Sequence, residues 1–201
     1  MVPMPSTEHD NDPAEFDAPE RALLLDLARA GIQSGWREGR PLRPDPADYP
    51  PHLRAPRAAF VTLERHGRLR GCIGSLKPVR PLVVDVAENA YAAAFRDPRF
   101  PPLRPEEWEG LHIDISVLGE PRPLPCRDEA DLLRQLRPGS DGLILEDGLH
   151  RATFLPAVWH SLPDPRDFVR QLKIKAGLPA DHWSPGIRVY RYTTESFGAP
   201  A

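Results

Sequence analysis

The stretch Leu69-Arg70-Gly71-Cys72-Ile73-Gly74 constrains the fold of this chain most strongly, because it places two glycines in a segment with the apolar character of a β-strand. Glycine weakens a strand unless a bulge, a bend or the close approach of another backbone or a ligand requires the missing side chain. The stretch also holds one of the two cysteines of the chain. Cys72 is therefore the leading functional candidate.

The surrounding residues predict a β-hairpin. Residues 58–65 have the pattern of a strand, His66-Gly67 is a typical tight turn, and residues 68–75 form the returning strand. With a two-residue turn, Val61 is expected to lie opposite Cys72. The predicted hairpin thus puts the cysteine in the middle of a paired strand.

Alternation along this strand predicts that Arg68, Arg70 and Cys72 share one face. A neighbouring arginine favours the nucleophilic thiolate form of cysteine, so Arg70 is predicted to activate Cys72 or to bind an anion. The alternative is that Cys72 is a small buried apolar side chain fitted between Gly71 and Gly74. The sequence leaves both interpretations open.

The rest of the chain predicts an α+β fold. Residues 39–57 contain six prolines, which argues for a long loop instead of a helix or a central strand. Helices and strands alternate without a regular βαβ period, which favours a mainly antiparallel sheet flanked by helices. Apolar periodicity predicts helices near 17–35, 82–94, 128–136 and 164–177, and strands over 111–117, 143–146, 149–155 and 187–193.

Composition restricts the class of protein. Residues 1–16 are acidic, rich in proline and poor in apolar side chains, which predicts a disordered tail before a single domain over 17–201. The net charge is −3 with both signs interspersed, which argues against a nucleic-acid partner. No apolar run approaches the roughly 20 residues that span a bilayer, so we expect no membrane association and a cytoplasmic location.

A second group of candidates lies on the strand over 111–117. His112 and Asp114 fall on its polar face, where they could act as general base and orienting acid for a reaction at Cys72. A solvated strand face is the alternative explanation. The histidines lack the spacing of a metal site and the cysteines form no C-x-x-C, so no metal site is predicted and no cofactor is identified.

A third group surrounds the end of the helix near 82–94. Asn89, Arg96, Asp97 and Arg99 combine charge with a proline-fixed loop, and such groups recognise carboxylates or phosphates. With Gly71 and Gly74 they form the predicted binding site for an unknown small molecule. The alternative is an internal Asp–Arg pair that fixes the loop.

The chain resembles the AMMECR family, whose bacterial members are called AmmeMemoRadiSam system protein A. The resemblance extends from about Asp17 to Phe197 and rests on several segments in the family's order. These segments are Phe60-Val61-Thr62-Leu63, Leu69-Arg70-Gly71-Cys72-Ile73-Gly74, Glu88-Asn89-Ala90, Ala93-Ala94-Phe95-Arg96-Asp97-Pro98-Arg99-Phe100, Ile115-Ser116-Val117-Leu118, Asp141-Gly142-Leu143, Phe154-Leu155-Pro156 and Lys175-Ala176-Gly177-Leu178.

This resemblance implies an α+β domain with a smaller second sub-region and a cleft between the two, near Cys72. It also implies association with a Memo-like protein and a radical SAM protein, but no established reaction. Lys173 departs from the pattern, because many relatives have Cys at this position. Two functions follow as hypotheses: a cysteine-dependent enzyme component, or a non-catalytic binding or scaffold component of the same system.

Overall fold

The computed structural model describes residues 15–201. Most of the predicted disordered tail, residues 1–14, lies outside the described residues. Its last two residues are held in place: the backbone N–H of Glu15 donates to the Glu195 carboxylate at 2.6 Å, and Phe16 is 1% exposed. Ordered structure therefore begins before the predicted boundary at residue 17.

The fold is α+β, as predicted, and the described chain divides into two compact units. The first covers 15–115 and 195–201, and the second covers 116–194. The elements in chain order are α1 (Ala18–Glu38), α2 (Pro51–Arg54), β1 (Ala59–Arg65), β2 (Arg68–Gly74), α3 (Leu82–Phe95), β3 (Leu111–Leu118), β4 (Arg122–Pro123), α4 (Glu129–Gln135), β5 (Gly142–Asp147), β6 (His150–Phe154), α5 (Pro165–Lys175), β7 (Arg188–Tyr192) and β8 (Thr194–Pro200).

The helix ends follow local capping chemistry. α1 begins with the predicted capping box, in which the Asp17 carboxylate accepts from the Glu20 N–H and the Glu20 carboxylate accepts from the Asp17 N–H. α1 continues past Gly35 and ends at Gly39, which adopts the left-handed conformation. α5 is capped by Asp164, again as the sequence predicts.

The first unit contains a four-stranded sheet with the strand order β2-β1-β3-β8. One face of this sheet is fully buried, with Val61, Leu63, Ile113 and Ile115 all 0% exposed. α3 packs closely on β1 and β2, and α1 packs on α3. β2, which carries Cys72, is an edge strand of this sheet.

The register of the β1–β2 hairpin corrects the prediction. Near the turn, Arg65 pairs with Arg68 as a two-residue turn requires, but the register shifts between Leu63 and Glu64. Beyond this β-bulge, Thr62 and not Val61 lies opposite Cys72. The bulge inserts one extra residue into β2, which a strict alternation of side chains cannot anticipate.

Three further elements differ from the sequence prediction. The proline-rich segment contains α2 and a short 3-10 helix, Pro46–Asp48, and a proline stands at the start of each. Proline is tolerated there because the first helical N–H groups have no partner within the helix. The chain also ends in β8, which the prediction missed because its glycine and proline resemble a loop.

The second unit is built on a sheet with the strand order β4-β7-β5-β6, whose ladders are antiparallel. α4 and α5 contribute Leu132 and Phe168 to its core. Lys173 is fully buried, and its ammonium group donates to the Glu129 carboxylate at 2.9 Å. Within residues 15–201, no helix has the length and apolar character needed to cross a membrane.

Candidate functional site

Cys72 lies in the middle of the edge strand β2 and is partly exposed. The hydroxyl of Thr62, directly across on β1, donates a hydrogen bond to the Cys72 sulfur at 3.3 Å. Residues directly opposite each other in an antiparallel pair point to the same side of the sheet. The thiol therefore lies on the side away from the buried face, and we call this side the Cys72 face, defined by Phe60, Thr62, Cys72, His112 and Asp114.

The backbone of Cys72 is fixed from outside the sheet by Asp97 and Arg99. The Asp97 carboxylate accepts the Cys72 N–H at 2.9 Å, and the Arg99 guanidinium donates to the Cys72 carbonyl at 3.3 Å. Arg99 also donates to both Asp97 oxygens, at 3.0 and 2.7 Å. The two side chains thus satisfy the groups that a further strand would pair with, which closes an otherwise open sheet edge.

The electrostatics of this pair favour its charged form. Asp97 is 4% exposed, and the hydrogen bonds from Arg99 hold the pKa of its carboxyl far below the usual range. The same hydrogen bonds raise the pKa of Arg99. Arg99 is therefore a permanent cation that contacts the Cys72 backbone.

Arg70 does not have the predicted position beside the thiol. It is the extra residue of the bulge, and Arg68 pairs with Arg65 on the other side of the sheet from Cys72. The Arg70 guanidinium donates to both oxygens of Glu107, at 2.8 and 3.0 Å, and to the Pro101 carbonyl at 3.0 Å. Those bonds lower the pKa of Glu107 to about 2.

His112 and Asp114 do lie together, on β3. The His112 Nε2 and Asp114 Oδ2 atoms are 3.5 Å apart, and the two side chains are 43% and 38% exposed. Gly198 on β8 lies against both, since a side chain there would clash with Asp114. Because β1 separates β3 from β2, the pair is about 10 Å from the Cys72 strand, which is too far for a direct hydrogen bond to the thiol.

The remaining predicted ligand-binding residues have packing roles. A Cβ at Gly71 would lie 2.2 Å from the Ala93 carbonyl of α3, and one at Gly74 would meet the Phe60 ring. Arg96 is exposed and stacks over Tyr91 at 5.0 Å. The two glycines therefore permit close approach within the protein, and the Arg96 guanidinium stacks on Tyr91 while Asp97 is paired with Arg99.

Asn89 belongs to a buried polar network that sequence reasoning missed. Its amide donates to the Ala59 carbonyl at 3.0 Å and to Asp85 at 2.9 Å. Asp85, fully buried, also accepts from the Ala59 N–H, from Ser75 at 2.6 Å and from Arg80 at 2.7 Å. The i,i+4 spacing of Asp85 and Asn89 within an otherwise apolar helix was the available signal. This network fixes the start of β1 and the end of β2 to α3.

Around Cys72 the structure brings together the thiol, the Thr62 hydroxyl and the Asp97–Arg99 ion pair. Thr62 was not predicted, because its role depends on the shifted register. Glu107 was not predicted either, because it is distant from Arg70 in sequence. Across residues 15–201, no three His, Cys, Asp or Glu side chains come together in a way that could hold a metal ion.

Comparison with known proteins identifies the family. The AMMECR1 family model matches residues 25–197. A protein of Methanothermobacter thermautotrophicus is 41% identical over 190 residues, which cover 92% of this chain and 96% of that protein. Protein TK0174 of Thermococcus kodakarensis is 39% identical over 186 residues, which cover 87% of this chain and 88% of that protein.

A solved structure extends the agreement to three dimensions. The crystal structure of the uncharacterized protein PH0010 from Pyrococcus horikoshii superposes with a TM-score of 0.81 at 34% sequence identity. The match covers 92% of this chain and 93% of that chain. The resemblance that the sequence motifs indicated is confirmed, and the chain belongs to the AMMECR1 family.

Proposed function

We propose that this AMMECR1-family protein is a cysteine-dependent enzyme component in which Cys72 is the nucleophile. The observation that carries the proposal is the set of hydrogen bonds that hold the side chain and the backbone of Cys72. A partly exposed thiol receives a hydrogen bond from Thr62, while buried Asp97 and half-exposed Arg99 fix its backbone on the N–H and the carbonyl side respectively. A nucleophile needs this kind of fixed placement, because orientation toward the substrate supplies much of the rate.

The proposal assigns a role to each neighbouring group. Thr62 orients the sulfur, Asp97 positions the Cys72 backbone, and Arg99 supplies a permanent positive charge beside the site. In this proposal Arg99 has the role that the sequence predicted for Arg70, because Arg70 is bound to Glu107. We assign His112, supported by Asp114, to proton transfer at the far end of a substrate that extends about 10 Å along the Cys72 face.

Reactivity of the two cysteines tests the proposal. We expect iodoacetamide at pH 7 to alkylate Cys72 at least about 10-fold faster than Cys126, measured by peptide mass spectrometry over time. Cys126 is a built-in reference, because burial, followed by Asp131 and Asp128, raises the pKa of its thiol. A Cys72 rate no higher than that of Cys126 contradicts the proposal. Thr62→Val removes the hydroxyl donor at nearly constant side-chain volume. It is expected to change the alkylation rate of Cys72 and to leave that of Cys126 unchanged.

The alternative function is a binding or scaffold component, and one observation favours it. Within residues 15–201, the hydrogen-bond partner of the Cys72 sulfur is a neutral hydroxyl, and no histidine or lysine contacts it. Gly71 and Gly74 also have packing roles that account for them without catalysis. In both functions we propose a Memo-like protein and a radical SAM protein as partners, on the basis of the family resemblance.

A single substitution separates the two functions in a microbe that encodes all three proteins. Cys72→Ser retains the size and hydrogen-bonding capacity of the side chain but removes the nucleophile. The enzyme proposal predicts loss of the cellular function with an unchanged circular dichroism spectrum and normal co-purification of both partners. Full function of Cys72→Ser supports the scaffold alternative. Cys126→Ser is the matched control and is expected to have no effect.

A further inference from the structure

Arg99 combines tight anchoring with an open outer edge. Its Nε and Nη2 atoms are occupied by Asp97 and the Cys72 carbonyl. Its Nη1 atom has no hydrogen-bond partner among residues 15–201, because both Asp97 oxygens are bound on the opposite edge of the guanidinium, at Nε and Nη2. The side chain of Arg99 is 53% exposed, whereas that of Asp97 is 2% exposed. A guanidinium fixed on one edge and open on the other is already oriented to receive an anion.

We propose that Arg99 is the anion-binding subsite for the substrate of Cys72, and that this substrate is an electrophile carrying a carboxylate or phosphate group. The inference rests on the proposed function of Cys72 and adds the class of substrate to it. Carboxylates and phosphates share the acceptor geometry that a guanidinium recognises, through short charge-assisted hydrogen bonds. Binding there places the anionic group beside Cys72, since the Arg99 guanidinium already donates to the Cys72 carbonyl.

The neighbouring arginines do not offer the same site. Arg70 is bound by both oxygens of Glu107, and its side chain is 12% exposed. The Arg96 guanidinium stacks over Tyr91, and among residues 15–201 it forms no hydrogen bond to the Asp97 carboxylate or to Cys72. The Phe100 ring lies beneath both Arg70 and Arg99, at 5.8 and 5.5 Å from their guanidinium carbons, and supports the two cations from one side. Of these three arginines, Arg99 is therefore the one that both contacts the Cys72 backbone and has an exposed guanidinium edge.

Asp97 determines how strong the anion preference is. Because its carboxylate balances the formal charge of Arg99, selectivity comes from hydrogen bonds at Nη1 and not from a long-range positive field. The preference is accordingly modest, about 3- to 10-fold for a small anion, and it persists at 0.15 M salt. A field effect from a patch of unpaired cations would instead fall steeply as salt is added.

Two alkylating reagents of nearly equal size test this inference. In either reaction the thiolate sulfur forms a bond to the CH2 carbon, and iodide leaves with the electron pair of the broken C–I bond. The readout is the ratio of the iodoacetate rate to the iodoacetamide rate, measured at Cys72 and Cys126 in the same sample. We expect the Cys72 ratio to exceed the Cys126 ratio by about 3- to 10-fold. Equal ratios at a reactive Cys72 overturn the inference and leave the proposed function standing.

Variants assign the effect to Arg99. The double substitution Asp97→Asn/Arg99→Gln removes both charges, so that no buried carboxylate is left without its partner, and it is expected to bring the Cys72 ratio down to that of Cys126. Arg96→Gln, three residues away and also at an exposed position, is the matched control and is expected to keep the wild-type ratio. An unchanged ratio in the double variant, with its fold verified by circular dichroism, contradicts the assignment.

A thiol-independent measurement separates this inference from the proposed function and distinguishes the two anions. The Arg99 Nε–H resonance in a ¹⁵N NMR spectrum is expected to shift on addition of inorganic phosphate or acetate, with saturation, and the anion that saturates at lower concentration identifies the preferred group. If Cys72 resists both alkylating reagents, the proposed function fails, and this titration alone decides the anion subsite. A resonance that neither phosphate nor acetate shifts overturns it.

Discussion

Two hairpins of this chain have the same kind of turn, but only one of them contains a β-bulge of one extra residue. β1–β2 and β5–β6 each close with a two-residue turn, as shown by the pairs Arg65–Arg68 and Asp147–His150. β5–β6 then keeps one register through to Leu143–Phe154. β1–β2 changes register after two pairs, and the extra residue, Arg70, leaves the ladder to bind Glu107.

The difference shows how the bulge creates the candidate site. In a regular hairpin the residue opposite Cys72 would be the buried Val61, and the thiol would point into the packed face. The one-residue shift brings Cys72 opposite Thr62 and onto the accessible face. The regular hairpin, β5–β6, instead contributes Leu143 and Leu145 to the hydrophobic core of the second unit. Bulges often redirect a side chain in this way next to functional sites.

The largest expected difference between the hairpins is in their glycines. Gly71→Ala directs a methyl group to within 2.2 Å of the Ala93 carbonyl, a backbone atom that cannot move without shifting α3. We expect a loss of about 3 kcal/mol or more in the free energy of unfolding, measured by urea denaturation. Gly148→Ala in the regular hairpin has open space around it and a φ of +60°, so its cost is about 1 kcal/mol. Equal costs would contradict the close approach of β2 and α3.

A smaller difference is expected from the carboxylates that support each hairpin. Asp97→Ala leaves the Cys72 N–H and the Arg99 guanidinium without their acceptor, and is expected to cost about 2 to 3 kcal/mol. Asp147→Ala removes the more exposed acceptor of His182 and Ser184 and is expected to cost less. The Asp97 variant alone should also change the iodoacetamide rate at Cys72. An unaltered rate would show that Asp97 stabilises the fold without positioning the thiol.

The smallest effect concerns the bulged residue and depends on pH. Arg70 lowers the pKa of Glu107 from its ordinary value of 4.5 to about 2, so the pair stabilises the folded state above pH 4.5, and this contribution disappears as the pH falls toward 2. We expect Glu107→Gln to cost about 1 to 2 kcal/mol at pH 7 and progressively less below pH 4.5. Parallel stability curves for the two proteins from pH 7 to pH 2.5 would exclude this contribution of the ion pair.

Local chemistry determined much of this protein from its sequence alone. The Asp17–Glu20 capping box, the Asp164 cap and the alternation of β3 predicted their elements, because each signal involves residues within one or two turns or along one strand. The same holds for the two hairpins and the α+β class. The motifs spread between about Asp17 and Phe197 also predicted the family, which the comparisons confirm.

Only the tertiary structure decided which groups surround Cys72. A bulge depends on the fit of a whole strand against α3, and the pairing of Arg70 with Glu107 joins residues far apart in sequence. Asp97 and Arg99 were visible as a local pair, but their attachment to the Cys72 backbone depends on how the loop after α3 returns to the sheet edge. The sequence therefore placed the cysteine on the returning strand of a hairpin, while its side of the sheet and its neighbours were set by a one-residue shift that no local pattern contains.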